Sequence, residues 1–293
     1  MTNFITATIG NFDGVHLGHQ NLFAQLNEFA SEKNQKSCVI TFINNLKFSD
    51  LENKKNLLLL TNEEKEQKIL LQVDMMSFLI DLGDLKNTTA ESFIKNILKS
   101  KGVNSLVVGE NFRFGKDRDG DIALLKKHFG DKNVRVANLF EHNGVQCSST
   151  IIRNLLQNGE IERANELLGY QYFIQGRVLK GEKIAGPMLG FPTINIINEV
   201  KILPKFGVYE VLLNIRNKKK IEKYVGIANI GVKPTLAKKK QPIIEVHIKD
   251  FSKDIYGKNV KIEFLRFVRE EKKFDNMDEL KKQIQKDVSE VFA

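Results

Sequence analysis

Two histidines three residues apart, His16 and His19, follow a glycine-rich turn in the stretch TATIGNFDGVHLGH. The glycines Gly10, Gly14 and Gly18 have the spacing G-x3-G-x3-G, which is neither the G-x-G-x-x-G of dinucleotide-binding folds nor a Walker loop. What remains is a strand end, a small-residue turn and a helix N-terminus, where backbone N–H groups and the helix dipole favour phosphate. The two imidazoles would share one helix face and could contact the same anion.

Imidazole donors in that position suit a reaction in which one phosphate attacks the α-phosphorus of a nucleoside triphosphate. Such a reaction needs no covalent protein nucleophile, only alignment and stabilisation of the developing charge. Two alternatives stay open. One is a zinc pair, although no further ligands can be placed among the remaining histidines and the two cysteines,. The other is a pair of histidines that only packs.

A second candidate site lies in LGFPTINI, residues 189–196. Pro192 stands where a strand begins, and the alternation of a strand puts Thr193 and Asn195 on the same face. A hydroxyl and an amide oxygen in this arrangement can bind Mg²⁺ carried by ATP. Cross-strand hydrogen bonding is the alternative explanation of the pair.

Three glycines precede this motif in VLKGEKIAGPMLG. A close approach of the backbone to phosphate needs residues without side chains. We therefore expect a flap over the ATP phosphates that contains Gly181, Gly186 and Gly190.

The elements that must position these residues change in character along the chain. Up to about residue 168, the strand-like runs FITATIG, SCVITF, MSFLID and NSLVVG alternate with helical patterns. This alternation predicts an α/β domain with a parallel sheet and helices on both faces. Thr61 with Glu64, and Thr88 with Glu91, fit capping boxes at two helix starts,.

Closely spaced strands and turns follow from residue 169 onward, which predicts an antiparallel β-barrel or sandwich. No helical period appears until MDELKKQIQKDVSEVF, a helix that we expect to dock on the barrel. Its predicted inner face carries Leu280, Ile284, Val288 and Val291. The expected domains are therefore residues 1–168 and 169–293.

Composition limits the partners. The 293 residues carry a net charge of +9, which suits anionic ligands,. No segment approaches eighteen uninterrupted apolar residues, so we expect no membrane span, and the N-terminus lacks a basic n-region, so we expect a cytoplasmic protein,. Cys38 and Cys147 show no CxxC spacing and are expected to be buried small hydrophobes,.

Two further classes of function are alternatives. A basic oligonucleotide-binding barrel would expose aromatic side chains on its strands, but the chain has no Trp and its aromatics lie mostly in apolar runs,. We therefore expect no nucleic-acid partner. An adenylyltransferase for another metabolite would explain the two histidines but would leave PTIN without a purpose. The oligomeric state is expected to be monomer or weak homo-oligomer.

Several motifs together resemble one family. GNFDGVHLGH resembles the G-x-F-D-x-x-H-x-G-H signature of nucleotidyltransferases, SSTIIR resembles their second motif S-S-T-x-I-R, and VVGENFRFGKDRDGD resembles a central flavin-side motif. Farther along, GFPTINI, GVYEV, EVHIKDFSKDIYG and VREEKKF occur in the order found in riboflavin kinases. The whole chain is similar to the bacterial bifunctional riboflavin kinase/FAD synthetases.

The resemblance implies that the N-terminal domain, a Rossmann-like nucleotidyltransferase, adenylylates FMN to FAD with ATP and releases pyrophosphate. His16, His19 and Arg153 would be its catalytic residues. Asp13 tightens the turn or orients a histidine, and Arg113 is a candidate for the FMN phosphate, with Lys116 and Arg118 beside it. The full implied ATP-binding set is Gly10, Phe12, Asp13, Gly14, His16, His19, Asn111, Ser149, Thr150 and Arg153.

For the C-terminal domain, the resemblance implies a riboflavin kinase that makes FMN with Mg²⁺-ATP. Glu245 would be the general base, and Thr193 and Asn195 would hold the metal ion. The implied flavin contacts are Arg269, Glu271 and Phe274, and the implied ATP contacts are Gly181, Gly186, Gly190, Pro192, Thr193 and Asn195.

Two departures from the family pattern matter. Asn44, Asn45 and Leu46 stand where the family usually has Pro-His-Pro, beside the flavin side of the adenylyl site. The alternative is therefore a riboflavin kinase only, with a degenerate adenylyltransferase domain. Gly186-Pro187 replaces Gly-Arg in the flap, which leaves the register of the flap open.

Overall fold

A computed structural model of the chain forms two compact units, Met1–Ser149 and Thr150–Ala293. It describes residues 4–43, 58–73, 78–81 (backbone), 87–138, 140–179, 193–198, 200–217, 220–232, 242–249, 251 and 253–292. The boundary expected between residues 168 and 169 stays a prediction.

The first unit is built on a parallel sheet, as predicted, and the sheet has five strands in the order β3-β2-β1-β4-β5. β1 and most of β2 are buried on both faces, which is typical of a parallel sheet covered by helices,. The order reverses on either side of β1, and such a switch point is where open α/β sheets bind ligands at their carboxyl edge. The strands are β1 Ile5–Gly10, β2 Lys36–Ile43, β3 Phe78–Asp81, β4 Val103–Gly109 and β5 Val134–Ala137.

Helices alternate with these strands. The predicted capping box is present at Thr61, whose hydroxyl accepts from Glu64 N at 3.2 Å while the Glu64 carboxylate accepts from Thr61 N. The helices are α1 Leu17–Glu32, α2 Asn62–Leu70, α3 Ala90–Phe93, which continues as π-helical Ile94–Lys99, and α4 Ile122–Phe129, with 3-10 turns at Lys116–Arg118 and Asp131–Asn133 and a hairpin of β6 Glu141–His142 and β7 Val145–Gln146.

The capping box predicted at Thr88 is wrong by one residue. Thr89 is the N-cap of α3, and its hydroxyl accepts from Ser92 N at 3.3 Å. The Thr88 carbonyl instead accepts from Lys116 N at 2.8 Å, so the backbone of Thr88 is committed to another segment and the helix starts later.

The second unit contains a six-stranded antiparallel sheet with the order β8-β13-β10-β11-β12-β9. The sheet curls until its two edges meet. The contact between them is a hydrogen bond from Leu179 N to Asn195 O at 2.9 Å. Gly176 is needed at this closure, since a Cβ there would overlap the Ile196 side chain. The predicted barrel architecture is confirmed, with strands β8 Phe173–Arg177, β9 Thr193–Ile197, β10 Gly207–Asn217, β11 Lys220–Val232, β12 Pro242–Ile248 and β13 Asn259–Glu270.

Three helices complete the description: α5 Ser149–Asn158, α6 Ile161–Leu168 and α7 Met277–Phe292. Within the second unit, the Asn165 side chain joins α6 to the sheet: its Nδ2 donates to Phe264 O at 2.9 Å, and its Oδ1 accepts from Tyr172 N at 2.6 Å. The C-terminal helix α7 forms as predicted. Across the described ranges, every helix is too short or too polar to traverse a bilayer.

Candidate active sites

The first candidate site is the turn that follows β1. Phe12 (φ 49°), Gly14 (φ 82°) and Val15 (φ 38°) have left-handed backbones, and all three are buried. The Phe12 ring folds back over Gly10, where a Cβ would lie 2.8 Å from the ring. Left-handed non-glycine residues each cost about 1–3 kcal/mol and cluster at functional sites. The packing around this turn therefore maintains a strained backbone at the carboxyl edge of the sheet.

The predicted pair of histidines lies at the start of α1, with His16 as its N-cap. The two imidazoles are stacked with centroids 3.6 Å apart, and the Phe12 ring meets His19 edge-on at 5.1 Å. In both histidines Nδ1 is buried and has no hydrogen-bond partner among the described residues. Buried polar atoms are normally paired, so two orphan nitrogens side by side mark a position where a polar ligand would supply the missing partner.

Both imidazoles are poor bases in this setting. Burial lowers the pKa of His16 to about 4. Burial also lowers the pKa of His19 well below its ordinary value, and repulsion from the protonated form of His16 and from Lys65 lowers it further. The pair is therefore neutral at pH 7, and a bound phosphate would oppose the shift by favouring the protonated forms.

Asp13 tightens the turn, which is the first of its two predicted roles. Its buried carboxylate accepts from Leu59 N and Leu60 N, both at 3.1 Å. The Asp13 carbonyl accepts from the Ser149 hydroxyl at 2.7 Å, so a residue of the SSTIIR motif contacts the histidine turn directly. Zinc ligation has no candidate ligand set within the described ranges, where no three His, Cys, Asp or Glu side chains cluster.

The remaining predicted residues of this site lie elsewhere in the sequence. Asn111 and Arg113 are exposed on the loop that follows β4, and Arg113 Nη1 donates to Phe112 O at 2.9 Å. On α5, Thr150 is exposed and Arg153 is half-buried. The altered segment Asn44, Asn45 and Leu46 lies outside the described residues.

The second candidate site is a cavity of about 270 Å³ in the second unit. Glu245 on β12 stands opposite Asn195 on β9 and Asn229 on β11, and His247 stands opposite Thr193. Five residues predicted from separate stretches line the cavity together: Thr193, Glu245, Arg269, Glu271 and Phe274. Apolar side chains complete its wall: Val208, Ile227, Leu280, Ile284 and Val288.

Asn195 lies two residues along β9 from Thr193. Its amide oxygen is buried and has no hydrogen-bond partner within the part of the chain that the structure describes. The predicted flap residues Gly181, Gly186, Gly190 and Pro192 lie outside the described residues.

Comparisons with known proteins match the two parts of the chain to two families. The family model of FAD synthetase matches residues 2–151, and that of riboflavin kinase matches residues 168–293. The bifunctional riboflavin kinase/FMN adenylyltransferase of Buchnera aphidicola subsp. Schizaphis graminum is 37% identical, over 96% of this chain and 91% of its own length. That of Pseudomonas fluorescens is 38% identical, over 97% and 90%.

The chain belongs to the bifunctional riboflavin kinase/FMN adenylyltransferase family. It is an enzyme with both of the family's domains, so the alternative of a kinase with a degenerate adenylyltransferase domain is not favoured. A crystal structure of a macrolide-efflux protein from Streptococcus pneumoniae has the same fold, with a TM-score of 0.86 and 29% identity over 99% of this chain and 94% of that one.

Two residues of this family member were missed in the sequence. Lys65 on α2 is fully buried, and its ammonium group donates to Asn11 O at 3.2 Å and Phe42 O at 2.6 Å. Nothing in NEEKEQ distinguishes it from a solvent-exposed lysine, because its acceptors are 54 and 23 residues away in the chain.

Asp287 on α7 is the second. Its carboxylate accepts from Arg269 Nε at 2.9 Å and Nη2 at 2.7 Å, and from Gln283 Nε2 at 2.8 Å. Arg269 and Asp287 both line the cavity, and the carboxylate is buried. The sequence did carry a signal, because Asp287 interrupts the apolar face that runs through Ile284 and Val288.

Proposed function

We propose that this chain phosphorylates riboflavin to FMN in the cavity of its second unit and adenylylates FMN to FAD at the histidine turn of its first unit. Residues 1–168 would serve adenylyl transfer and residues 169–293 the kinase reaction. The observation that carries this proposal is the gathering of five residues, from three strands and the segment after β13, around one cavity. A carboxylate, a hydroxyl and an apolar wall there suit an alcohol, a phosphate and a flavin ring.

In the kinase step, Glu245 takes the proton of the ribityl 5′-hydroxyl. The hydroxyl oxygen then attacks the γ-phosphorus of ATP, the bond from that phosphorus to the bridging oxygen breaks, and ADP leaves. Phe274 and the apolar wall enclose the isoalloxazine ring, while Arg269 and Glu271 offer polar contacts. Arg269 is held in place by its paired hydrogen bonds to Asp287.

Thr193 and Asn195 fit a magnesium ion. The ion prefers hard oxygen ligands, and the buried Asn195 amide oxygen has no hydrogen-bond partner among the described residues. A bound Mg²⁺ would neutralise charge on the ATP phosphates. The two side chains would orient the γ-phosphate toward Glu245, and the predicted flap with Gly181, Gly186, Gly190 and Pro192 would cover it.

In the adenylyl step, an oxygen of the FMN phosphate attacks the α-phosphorus of ATP and pyrophosphate leaves. No base is required, because the attacking phosphate is already an anion. His16 and His19 hold the phosphates through their unpaired nitrogens, and Arg153 is proposed for the β and γ groups. Asn111 and Arg113 are proposed for the reacting phosphates and the FMN phosphate. The supporting turn and helix start consist of Gly10, Phe12, Asp13, Gly14, Ser149 and Thr150.

The test is to incubate the chain with riboflavin, ATP and Mg²⁺ and to separate the flavins over time. The wild type should form FMN first and then FAD. Asn195→Asp should lose FMN formation but still convert added FMN to FAD, whereas His19→Ala should stop at FMN. His142→Ala, in the hairpin, serves as the matched control. A His19→Ala variant that makes FAD at the wild-type rate would overturn the assignment of the first site.

We further propose a cytoplasmic enzyme that is a monomer or a weak homo-oligomer. Support for a reducing compartment comes from Cys38 and Cys147, which are both buried and unbridged,. Cell fractionation and sedimentation velocity test the two statements.

A further inference from the structure

Lys65 is a buried cation that the proposed adenylyl step does not use. Its ammonium group joins the carboxyl ends of two neighbouring strands, through Asn11 O just after β1 and Phe42 O near the end of β2. The Asn11 carbonyl also accepts from the Thr41 hydroxyl at 3.1 Å. A fully buried lysine is rare because removing an ammonium group from water is costly. Such a residue needs an explanation beyond packing.

The segment that carries Lys65 clamps the histidine turn at more than one point. Leu59 N and Leu60 N donate to the Asp13 carboxylate just before α2 begins, and Lys65 holds Asn11 one turn into that helix. The backbone carbonyl of Asn11 and the side chain of Asp13, on either side of Phe12, are thereby attached to residues 59–65. These hydrogen bonds support the strained turn of the first site.

The charge of Lys65 acts on the site as well. It is a positive neighbour of His19, whose other ionisable neighbour is His16, and Asp13 is its own acidic neighbour. Burial lowers the pKa of Lys65 to about 8, although Asp13 opposes this shift. The ammonium form therefore predominates at pH 7 and is lost as the pH rises above 8.

We propose that Lys65 is a positioning residue for adenylyl transfer, which fixes the turn that carries His16 and His19 and holds a positive charge near His19. The inference rests on the proposed function of that turn. Triphosphate binding concentrates negative charge at the histidines, and a buried cation that is already in place favours it without rearrangement.

The experiment uses the full-length chain with FMN, ATP and Mg²⁺, and compares Lys65→Met, Lys65→Arg, His19→Ala and Lys36→Met. Lys36 is an exposed lysine at the opposite end of β2 and is the matched control. We expect Lys65→Met to lower kcat/KM for ATP about tenfold or more at pH 7, since hydrogen bonds to charged groups contribute that much. Lys65→Arg should recover part of the loss, and Lys36→Met should match the wild type.

The pH profile separates a charge from mere packing. Wild-type FAD formation should fall between pH 7 and pH 9 as Lys65 loses its proton, whereas Lys65→Arg should not show this fall. Histidine NMR titration of the ligand-free chain gives a second measure. The protonation midpoint of His19 should rise in Lys65→Met, because a positive neighbour is removed, while the resonances of His128 and His142 show that the first unit is folded.

Wild-type FAD formation and an unchanged His19 midpoint in folded Lys65→Met would overturn the proposal. So would a loss of activity in which Lys65→Arg keeps the wild-type pH profile, because the role would then be structural. If Lys65→Met does not fold, the profile of Lys65→Arg decides alone. A His19→Ala variant with full activity would instead overturn the proposed function of the turn, which keeps the two failures distinct.

Discussion

The two candidate sites differ in how they handle charge. At the histidine turn, the carboxylate of Asp13 accepts hydrogen bonds from backbone N–H groups. The neighbouring ionisable groups are His16, His19 and Lys65. The cavity of the second unit is instead lined by three carboxylates: Glu245, Glu271 and Asp287. The difference follows the chemistry of the attacking group. A phosphate arrives as an anion and needs cations and N–H donors, whereas an alcohol needs an acceptor for its proton.

The sites also differ in how the chain positions them. The first depends on backbone geometry, with left-handed residues before a helix N-terminus. The second depends on strand register, which sets Glu245 opposite Asn195 and Asn229. A one-residue slip in a strand moves every side chain of that strand to the other face. The positions of the side chains that line the cavity therefore depend on the register of the sheet.

The sharpest test of this comparison is Glu245→Gln. If only the second site needs a base, FMN formation should fall by about 10²–10⁴-fold, the usual contribution of a general base. FAD formation from added FMN should stay unchanged. Chromatographic assay of the two steps measures both rates, with Glu222→Gln, at a half-buried position on β11, as control. Equal loss in both steps would break the comparison.

Lowering the pH from 7 to 5 should destabilise the first unit more than the second. The folded-state pKa of His16, about 4, lies below its unfolded value of 6.5, so the unfolded chain binds the proton first. The contribution of His16 to the free energy of unfolding, about 3 kcal/mol, is fully present above pH 6.5,. It is lost as the pH falls toward 4,. His19 adds a loss in the same direction.

The chain supplies separate reporters for this measurement. Both cysteines lie before residue 150 and all five tyrosines lie after residue 169. In urea titrations at pH 7 and pH 5, labelling by a pyridyl disulfide reports the first unit and tyrosine fluorescence the second. We expect the labelling midpoint to fall more, and His16→Gln to remove most of the difference. Equal shifts of both midpoints in the wild type would contradict the expectation.

Asp287→Asn should weaken the second site through its architecture. Loss of the carboxylate leaves the charge of Arg269 without its partner and should lower the free energy of unfolding by about 2 kcal/mol. Breaking a fully buried ion pair costs roughly 3–5 kcal/mol, but Arg269 is partly exposed,. The KM for riboflavin should rise with little change in kcat. The control is Glu290→Gln, on the same helix as Asp287. It removes an exposed partner of Arg266 and should leave the free energy of unfolding almost unchanged,. Similar behaviour of the two variants would count against a role for Asp287.

The smallest expected effect is that of Ser149→Ala. This change removes the hydroxyl that donates to Asp13 O at 2.7 Å, a bond of about 1 kcal/mol, so FAD formation should fall about fivefold,. FMN formation should not change. Ser100→Ala, at an exposed helix end, is the control for the assay. A loss of FMN formation in Ser149→Ala would show that the two sites are not independent in the way that the comparison implies.

Local patterns in the sequence predicted the architecture well. The alternation of strands and helices, the capping box at Thr61 and the helix face through Ile284 and Val288 all depend on neighbours a few residues apart. The cap at Thr88 failed because a distant contact, from Lys116 N to the Thr88 carbonyl, moved the helix start by one residue. A local signal predicts that a helix begins nearby, and tertiary contacts select the residue.

The sequence by itself determined which residue types could perform the chemistry: His16 and His19 at a helix start, Thr193 and Asn195 on one strand face, and the family through the order of its motifs. Only the tertiary structure decided that Lys65 and Asp287 belong beside them, and that both histidines are neutral. The physical reason is that burial depends on partners far away in the chain. Desolvation sets the charge of an imidazole, and the fold sets the neighbours of an ammonium group. No spacing within a short motif encodes either of them.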